Sequence, residues 1–418
     1  MKILWITNTV FPEPAKILGL SEPVLGGWMY SLAQELIKHK EIELAIASIY
    51  SGKSLKLIES TGIRYYLLPG DFSVGYQQHL ELIWHEIISE YKPSIVHIHG
   101  TEYQHGLAFI RACKSQIFVI SIQGLVGVIA RYFYAGLSVM DIINNLTIRD
   151  LLRMDTLVHR KNKYIRQGIY ENEYIINGKH IIGRTEWDYA HVKAINPLAS
   201  YYHCEETLRD GFYFSKKWNP DTINKNTVFL SQAKSPIKGM HQALKAVAML
   251  VNDFPKIKVR VAGDNILSEN TFVKRMKTNG YSSYIKKLIT RLGLTDNIEF
   301  VGPLSEEGMI NEYLNANVFI CPSSIENSSN SIGEAQILGV PTIASCVGGT
   351  QNMIKHGETG LLYRFEEFEM LAENIKKIFI DNRFAKKISV QGIAAAEKRH
   401  DRNVNCDQIL RIYRDILT

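Results

Sequence analysis

Cysteine is scarce in this chain and follows no pairing pattern. The five residues Cys113, Cys204, Cys321, Cys346 and Cys406 are an odd number, widely scattered, with no C-x-x-C pair. That spacing excludes a disulfide framework and a structural zinc site. A large excess of one charge is also missing. The formal net charge of +6 over 418 residues suits a phosphorylated ligand or an anionic membrane surface, and is too small to indicate nucleic acid. Long apolar runs are absent. The opening MKILWITNTVF is interrupted by Pro12, Glu13 and Pro14 before a signal segment can form, so it reads as a first strand. The most apolar stretch, residues 116–139, is broken by Gln123 and Arg131 and never reaches the roughly 18 apolar residues of a spanning helix. The expectation is a cytoplasmic protein. No Ser-His-Asp motif, no G-x-x-x-x-G-K-[ST] loop and no D-x-D occurs, the last absence pointing away from metal-dependent chemistry.

What is present is alternation. KILWIT precedes GWMYSLAQELI, SIVHIHG precedes HGLAFIRAC, and FVISIQG comes next; TVFLSQ then precedes GMHQALKAVAMLV, KVRVAGD precedes a long helical region, and IEFVG, VFICP and PTIAS follow. Continuous apolar strands alternating with amphipathic helices predict βαβ units and parallel sheets covered on both faces. The pattern restarts near residue 226, after an irregular stretch rich in Tyr, His and charge. Two doubly wound α/β domains are predicted, with residues 1–200 as the first, 201–225 as a linker and 226–398 as the second. In such sheets ligands bind beyond the carboxyl ends of the strands. Two facing sheets would hold a ligand in the cleft between them.

Several constellations lie at predicted strand ends. In CPSSIENSSNSIGEA, Glu326 and Glu334 enclose seven mostly small residues between a strand and a helix closed by Gly339. Small residues let backbone N–H groups approach a ligand, and a helix start favours an anion. Glu334 in the first turn can accept from ribose hydroxyls; alternatively Ser331-x-x-Glu334 is a capping box. Glu326 has no capping role to explain it. Lys238, before Gly239 at another helix start, can reach a diphosphate as a point charge, or be a solvated loop lysine. Gly26 and Gly27 precede a helix after a long loop, as a phosphate approach or a plain turn. His97 and His99 share a strand face with Glu102 and His105 nearby, so a metal site, a ligand-facing His99 and a structural histidine are all readings. Arg184 begins GRTEWD, where Thr185-x-x-Asp188 is a second capping box, and could meet a phosphate or an acidic acceptor. The run from His159 to Arg166, behind LVGVIARYFYAGL with its Arg131, is a solvated face or a seat on an anionic membrane.

The stretch CPSSIENSSNSIGEAQILGVPTIASCVGGTQNMIKHGETGLLY resembles the donor-site region of family 4 glycosyltransferases of the GT-B fold. The paired glutamates with seven residues between them, the G-x-P-x-I-A-S run, the Gly-Gly and the H-G-x-T-G-L match in order, and the Gly-Gly, VHIHG and Lys-Gly elements fall where that family has them. The resemblance implies two Rossmann-like domains facing across a cleft, with residues 399–418 as a helix crossing back to the first. It implies a retaining, metal-independent, hexosyltransferase-type enzyme moving a sugar from a nucleotide-sugar donor to a glycan or lipid-linked glycan acceptor in cell-surface polysaccharide synthesis. No bound cofactor is implied, the nucleotide sugar being a co-substrate, and no nucleic acid. Peripheral contact at the inner face of the membrane is the further partner expected.

Carried over residue by residue, Glu334 would hold the ribose, and Glu326 with Asn327, Ser328 and Ser329 would meet the donor sugar. Lys238 and the backbone at Ser331 and Ile332 would take the diphosphate, covered by Gly27. Glu326, Lys238 and His99 form the expected catalytic set, with Arg184 and Arg131 on the acceptor side and no metal ligand. The chain departs from the family twice. Ser231-Gln232 stands where the family has Gly-Arg, and Gln123 stands where it often has a histidine. Neither glutamine supplies charge, so Lys234 or Arg184 would have to replace the missing arginine, and a catalytically weak or inactive protein that binds nucleotide sugar or a partner enzyme is the alternative.

Overall fold

The computed structural model describes residues 1–20, 26–72, 75–266 and 278–418. Residues 21–25, within the stretch read from sequence as a long loop, and residues 267–277, within the stretch read as helical after KVRVAGD, lie outside the described residues. The described residues form two parallel-sheet α/β units. The first comprises residues 1–128, 165–209 and 400–418, and the second residues 129–164 and 210–399.

The first unit is built on eight strands: β1 (Lys2–Thr7), β2 (Glu43–Tyr50), β3 (Lys56–Ser60), β4 (Ile63–Pro69), β5 (Ile95–His99), β6 (Phe118–Ser121), β7 (His180–Gly183) and β8 (Ser200–His203). Their order is β3-β4-β2-β1-β5-β6-β7-β8, parallel except for the β3–β4 hairpin. Alternate residues of β1 feed two separate cores, Leu4 and Ile6 on one face, Ile3 and Trp5 on the other. The helix Arg402–Leu417 belongs to this unit and packs Cys406, Ile409 and Tyr413 into the Trp5 core. The Tyr413 hydroxyl accepts from Trp5 Nε1 at 3.0 Å, so the polar tip is satisfied while the ring is buried.

The region read as irregular from its Tyr, His and charge contains β8, paired in parallel with β7. β8 is an edge strand whose side chains are half-buried or exposed, so it carries no apolar run to mark it. LVGVIARYFYAGL, read with the basic run as a membrane seat, is largely internal: Leu125, Val128, Ala130, Phe133 and Leu137 are all buried.

The second unit has six parallel strands, β9 (Thr227–Leu230), β10 (Lys258–Ala262), β11 (Ile298–Gly302), β12 (Val318–Cys321), β13 (Thr342–Ser345) and β14 (Leu361–Tyr363), in the order β11-β10-β9-β12-β13-β14. Residues 129–164 pack onto this unit through polar ties. His241 Nε2 donates to the Ala135 carbonyl at 2.8 Å, the Asp150 carboxylate accepts from Gly280 N at 2.6 Å, and Lys287 Nζ donates to the Asn144 carbonyl at 3.0 Å. No helix among the described residues is long and apolar enough to cross a membrane. All five cysteines are free thiols.

Candidate active site

In the second sheet the chain leaves β9 toward β10 on one side and β12 toward β13 on the other, so the crevice outside the carboxyl ends of β9 and β12 is the switch point where a doubly wound sheet takes its ligand. The predicted donor residues gather there. After β9 the chain makes a short turn, Pro236–Lys238, and enters the helix Met240–Leu250 through Gly239. Gly239 has φ +68°, and a Cβ there would collide with the Pro322 carbonyl, so only glycine lets this turn lie against the loop after β12. Ser324 N donates to the Ile237 carbonyl at 2.7 Å and locks the two loops together.

That closure brings Lys238 Nζ to 2.6 Å from Glu326 Oε1, a pair 88 residues apart in sequence. Ser323 Oγ donates to the same carboxylate oxygen at 2.7 Å. The side chains are 28% and 13% exposed, so the pair is shielded yet still open to a ligand. Burial opposes the Lys238 ammonium, but the Glu326 carboxylate outweighs it, and the lysine pKa lies above its ordinary value. The backbone of Glu326 is fixed as well, its carbonyl accepting from Gly349 N at 3.0 Å. Gly348, φ +51°, passes directly beneath that carbonyl, where a Cβ would collide with it.

Asn327, Ser328 and Ser329 continue from Glu326 to the helix Asn330–Leu338. Asn327 and Ser329 are buried, and Ser329 N donates to Met353 Sδ at 3.1 Å. Ser329 is the N-cap and makes no side-chain capping bond. Ser331 is therefore the second helical residue rather than the cap, and the Ser331-Glu334 capping box does not form. The helix begins two residues earlier than that box requires, which places Glu334 beyond the third helical position that reaches the cap N–H. Glu334 is 7% exposed and lies 3.5 Å from the Tyr313 hydroxyl, which donates to the Ser331 carbonyl at 3.1 Å. Ile332 is fully buried. Gln232 is exposed on the loop after β9, and Lys234 on the same loop pairs with Asp264 at 3.1 Å, both side chains largely in solvent. Arg131, exposed, is in this unit too, beside Tyr132, whose carbonyl accepts from Ser324 Oγ at 3.2 Å.

The remaining predicted residues are in the first unit. Its switch point lies between β1 and β5, where Asn8 Nδ2 donates to Glu102 Oε2 at 2.9 Å. His99 ends β5, 2% exposed, with no hydrogen-bond partner at either ring nitrogen, stacked on His97 at 3.8 Å and edge-on to Trp5 at 4.4 Å. Burial lowers its pKa to about 3, so the ring is neutral. His97, by contrast, is tied to the Tyr413 and Ser121 hydroxyls at 2.6 Å each, a structural histidine. Gly26 is the left-handed N-cap and Gly27 the first residue of the helix Gly27–Leu36. Thr185 and Asp188 do form the predicted capping box. Arg184 is 4% exposed; its guanidinium pairs with Glu206 and donates to the Ile122 and Gln123 carbonyls at 2.9 and 3.1 Å. Gln123 Nε2 donates to the same Glu206 at 3.0 Å. Arg184 is thus held within the first unit, and reaching an acceptor or a diphosphate would mean leaving Glu206.

Sequence reasoning passed over Ser323, Tyr313 and Met353, the side chains that position Glu326, Glu334 and Ser329. Ser323 lay in the quoted CPSS run and was legible as a neighbour of Glu326; Tyr313 and Met353 reach the site only through folding.

Residues 214–395, which hold Lys238, Glu326 and Glu334, match the family model described as glycosyl transferases group 1. A capsular polysaccharide biosynthesis glycosyltransferase, CapM of Staphylococcus aureus, is 27% identical over 180 residues, 43% of this chain and 43% of that protein. A D-inositol 3-phosphate glycosyltransferase of Streptomyces scabiei is 30% identical over 127 residues, 30% of this chain and 27% of that protein. The matched part spans less than half the length of these relatives. Among solved structures, sucrose-phosphate synthase from Thermosynechococcus elongatus superposes with a TM-score of 0.72 at 16% identity, covering 100% of this chain and 99% of that one. HepE of Anabaena, in complex with UDP and glucose, gives 0.65 at 16% identity, with 98% of each chain covered. Residues 214–395 therefore carry the sequence pattern of the group 1 glycosyl transferases, and the chain has the GT-B fold.

Proposed function

We propose that the protein is a retaining, metal-independent glycosyltransferase of family 4 type, moving a hexose from a nucleotide-sugar donor to a glycan or lipid-linked glycan in polysaccharide synthesis. The observation that carries this reading is the Lys238–Glu326 pair at the β9/β12 switch point, with Glu334 on the adjoining helix. The names of the relatives, a capsular polysaccharide enzyme among them, support the acceptor class.

In this reading Glu334 accepts from the ribose hydroxyls, and Glu326 with the backbone of Asn327 to Ser329 accepts and donates at the sugar. Loss of a nucleoside diphosphate builds negative charge on the phosphate and cationic character at the sugar carbon. Lys238 and the uncapped start of the helix Asn330–Leu338 are preorganised donors for that developing anion. The raised pKa keeps Lys238 cationic at neutral pH. Glu326, fixed at 2.6 Å from it, holds the ammonium in place and faces the positive end of the same charge separation. The acceptor attacks from the face the diphosphate leaves, the departing phosphate taking its proton, so no protein nucleophile is required. Gln232, which bears no charge, leaves Lys238 as the main cation of the phosphate site.

The test is donor turnover without acceptor. UDP-, GDP- and ADP-hexoses, UDP first because HepE was seen with UDP, are incubated with the protein and the released sugar is read by NMR. Slow hydrolysis of one donor to the same anomer, unchanged by EDTA, is the expected result. Hydrolysis of none, together with no binding of any, would leave a protein that is not a donor-dependent transferase.

A further inference from the structure

The stretch that packs on the second unit, residues 129–164, turns an unusual surface outward. Six large apolar side chains, Val139, Met140, Ile148, Leu151, Leu152 and Met154, are between 58% and 76% exposed. They belong to two short helices, Val139–Ile143 and Ile148–Leu152, and the residues just after. Ile148, Leu151 and Leu152 follow the i, i+3, i+4 spacing of one helix face. Single exposed apolar residues are ordinary, but six within sixteen residues mark a surface that is covered in use. The apolar run immediately upstream is buried, so this face is separate from it.

Charge identifies the cover. Each acidic group in the stretch is engaged by neighbouring donors, and Asp150 is buried outright. Asp141 accepts from the Ser138 N–H and hydroxyl in a capping box, Asp150 is 2% exposed and takes the Gly280 N–H, and Asp155 is held by Arg149 and Arg160. The outward charges are basic: Arg153 lies exposed between Leu152 and Met154, and Lys287 reaches the Asn144 carbonyl at the end of the first short helix. A second copy of the chain would set cation against cation across a two-fold contact. An anionic surface with an apolar interior satisfies both features at once.

We infer that residues 139–154, with Lys287, form a docking face for an anionic lipid bilayer, into which Ile148, Leu151 and Leu152 insert while Arg153 and Lys287 meet the headgroups. No spanning helix takes part; the attachment is peripheral. The inference is independent of the donor chemistry proposed above.

Co-sedimentation of the full chain with vesicles tests it, using phosphatidylcholine alone and phosphatidylcholine with about one-third phosphatidylglycerol. The wild type should bind only the anionic vesicles and be released as salt is raised. Leu151→Ser with Leu152→Ser should lower the bound fraction at least about fivefold, and Arg153→Glu should lower it further at moderate salt, with melting temperatures unchanged because Leu151, Leu152 and Arg153 are exposed. No binding to anionic vesicles at low salt overturns the proposal, as does equal binding by the serine variant. So does a wild-type dimer dispersed by the serine pair without vesicle binding, which would assign the face to a second copy.

Discussion

Lys238 and Glu326 stand or fall together. Each shields the other's charge in a partly closed site, and Ser323 donates to the same carboxylate oxygen. Lys238→Ala would leave Glu326 without its partner, destabilising the second unit by about 1–2 kcal/mol, since partial exposure lets water replace some of what is lost. Its larger effect should be on turnover: loss of the phosphate-facing cation is expected to lower kcat by about 100-fold or more with a smaller change in KM. Urea denaturation and steady-state kinetics on the same preparation would separate the two. The residue scale also shows where the sequence was readable. Glu326 stood out because a carboxylate after an apolar strand has little structural reason to be there, and Glu334 because it follows in the first helical turn, where a capping box was the alternative. Ser331 misled for a local reason: it has the right spacing for a capping box, but the helix starts at Asn330 with Ser329 as its cap.

At the scale of elements, the switch-point crevice depends on two loops that touch because Gly239 has no side chain. Gly239→Ala would place a Cβ on the Pro322 carbonyl in a left-handed conformation, and should destabilise by about 2–3 kcal/mol while moving Lys238 off Glu326. Activity should fall with stability, which a melting curve and a donor-hydrolysis assay would record. A second element-scale expectation concerns residues 129–164. His241 ties them to the second unit through Ala135, so His241→Ala should loosen them first, and limited proteolysis should cut between Ile129 and Tyr164 faster than in wild type. The strands of both sheets were legible where they are buried on both faces, because such strands read as unbroken apolar runs. β8 was not, being an edge strand among tyrosines and a histidine. The association of residues 129–164 with the second unit was also hidden, because it is made by a few side chain–backbone ties rather than by periodicity.

For the whole molecule, four neutral buried histidines set an acid limit. Burial lowers His99 to about 3, His105 and His241 to about 4, and His97 well below its ordinary value. Unfolded, each would take a proton near its ordinary value of 6.5, so the unfolded state binds more protons as pH falls. Their stabilising contribution is present above that value and is lost progressively below it. Unfolding free energy should therefore drop between about pH 7 and about pH 5, and His99→Asn should flatten the drop. A drop that His99→Asn leaves unchanged would refute the neutral assignment of that ring, since the variant isolates it from Glu171, whose carboxyl is raised to about 8 by burial and acts with the opposite sign. The fold was legible as a whole because two runs of alternating strands and helices allow few other architectures. The identity of any donor was not, since Lys238, Glu326 and Glu334 carry nothing that tells one sugar or base from another. The central claim is that the β9/β12 crevice binds a nucleotide sugar through Lys238, Glu326 and Glu334. Its most direct test is a thermal-shift titration with UDP-, GDP- and ADP-hexoses on wild type, Lys238→Ala and Glu334→Ala. One nucleotide class should raise the wild-type melting temperature by several degrees at saturation and leave both variants nearly unmoved. An equal rise in all three proteins, or none in wild type, would contradict the account.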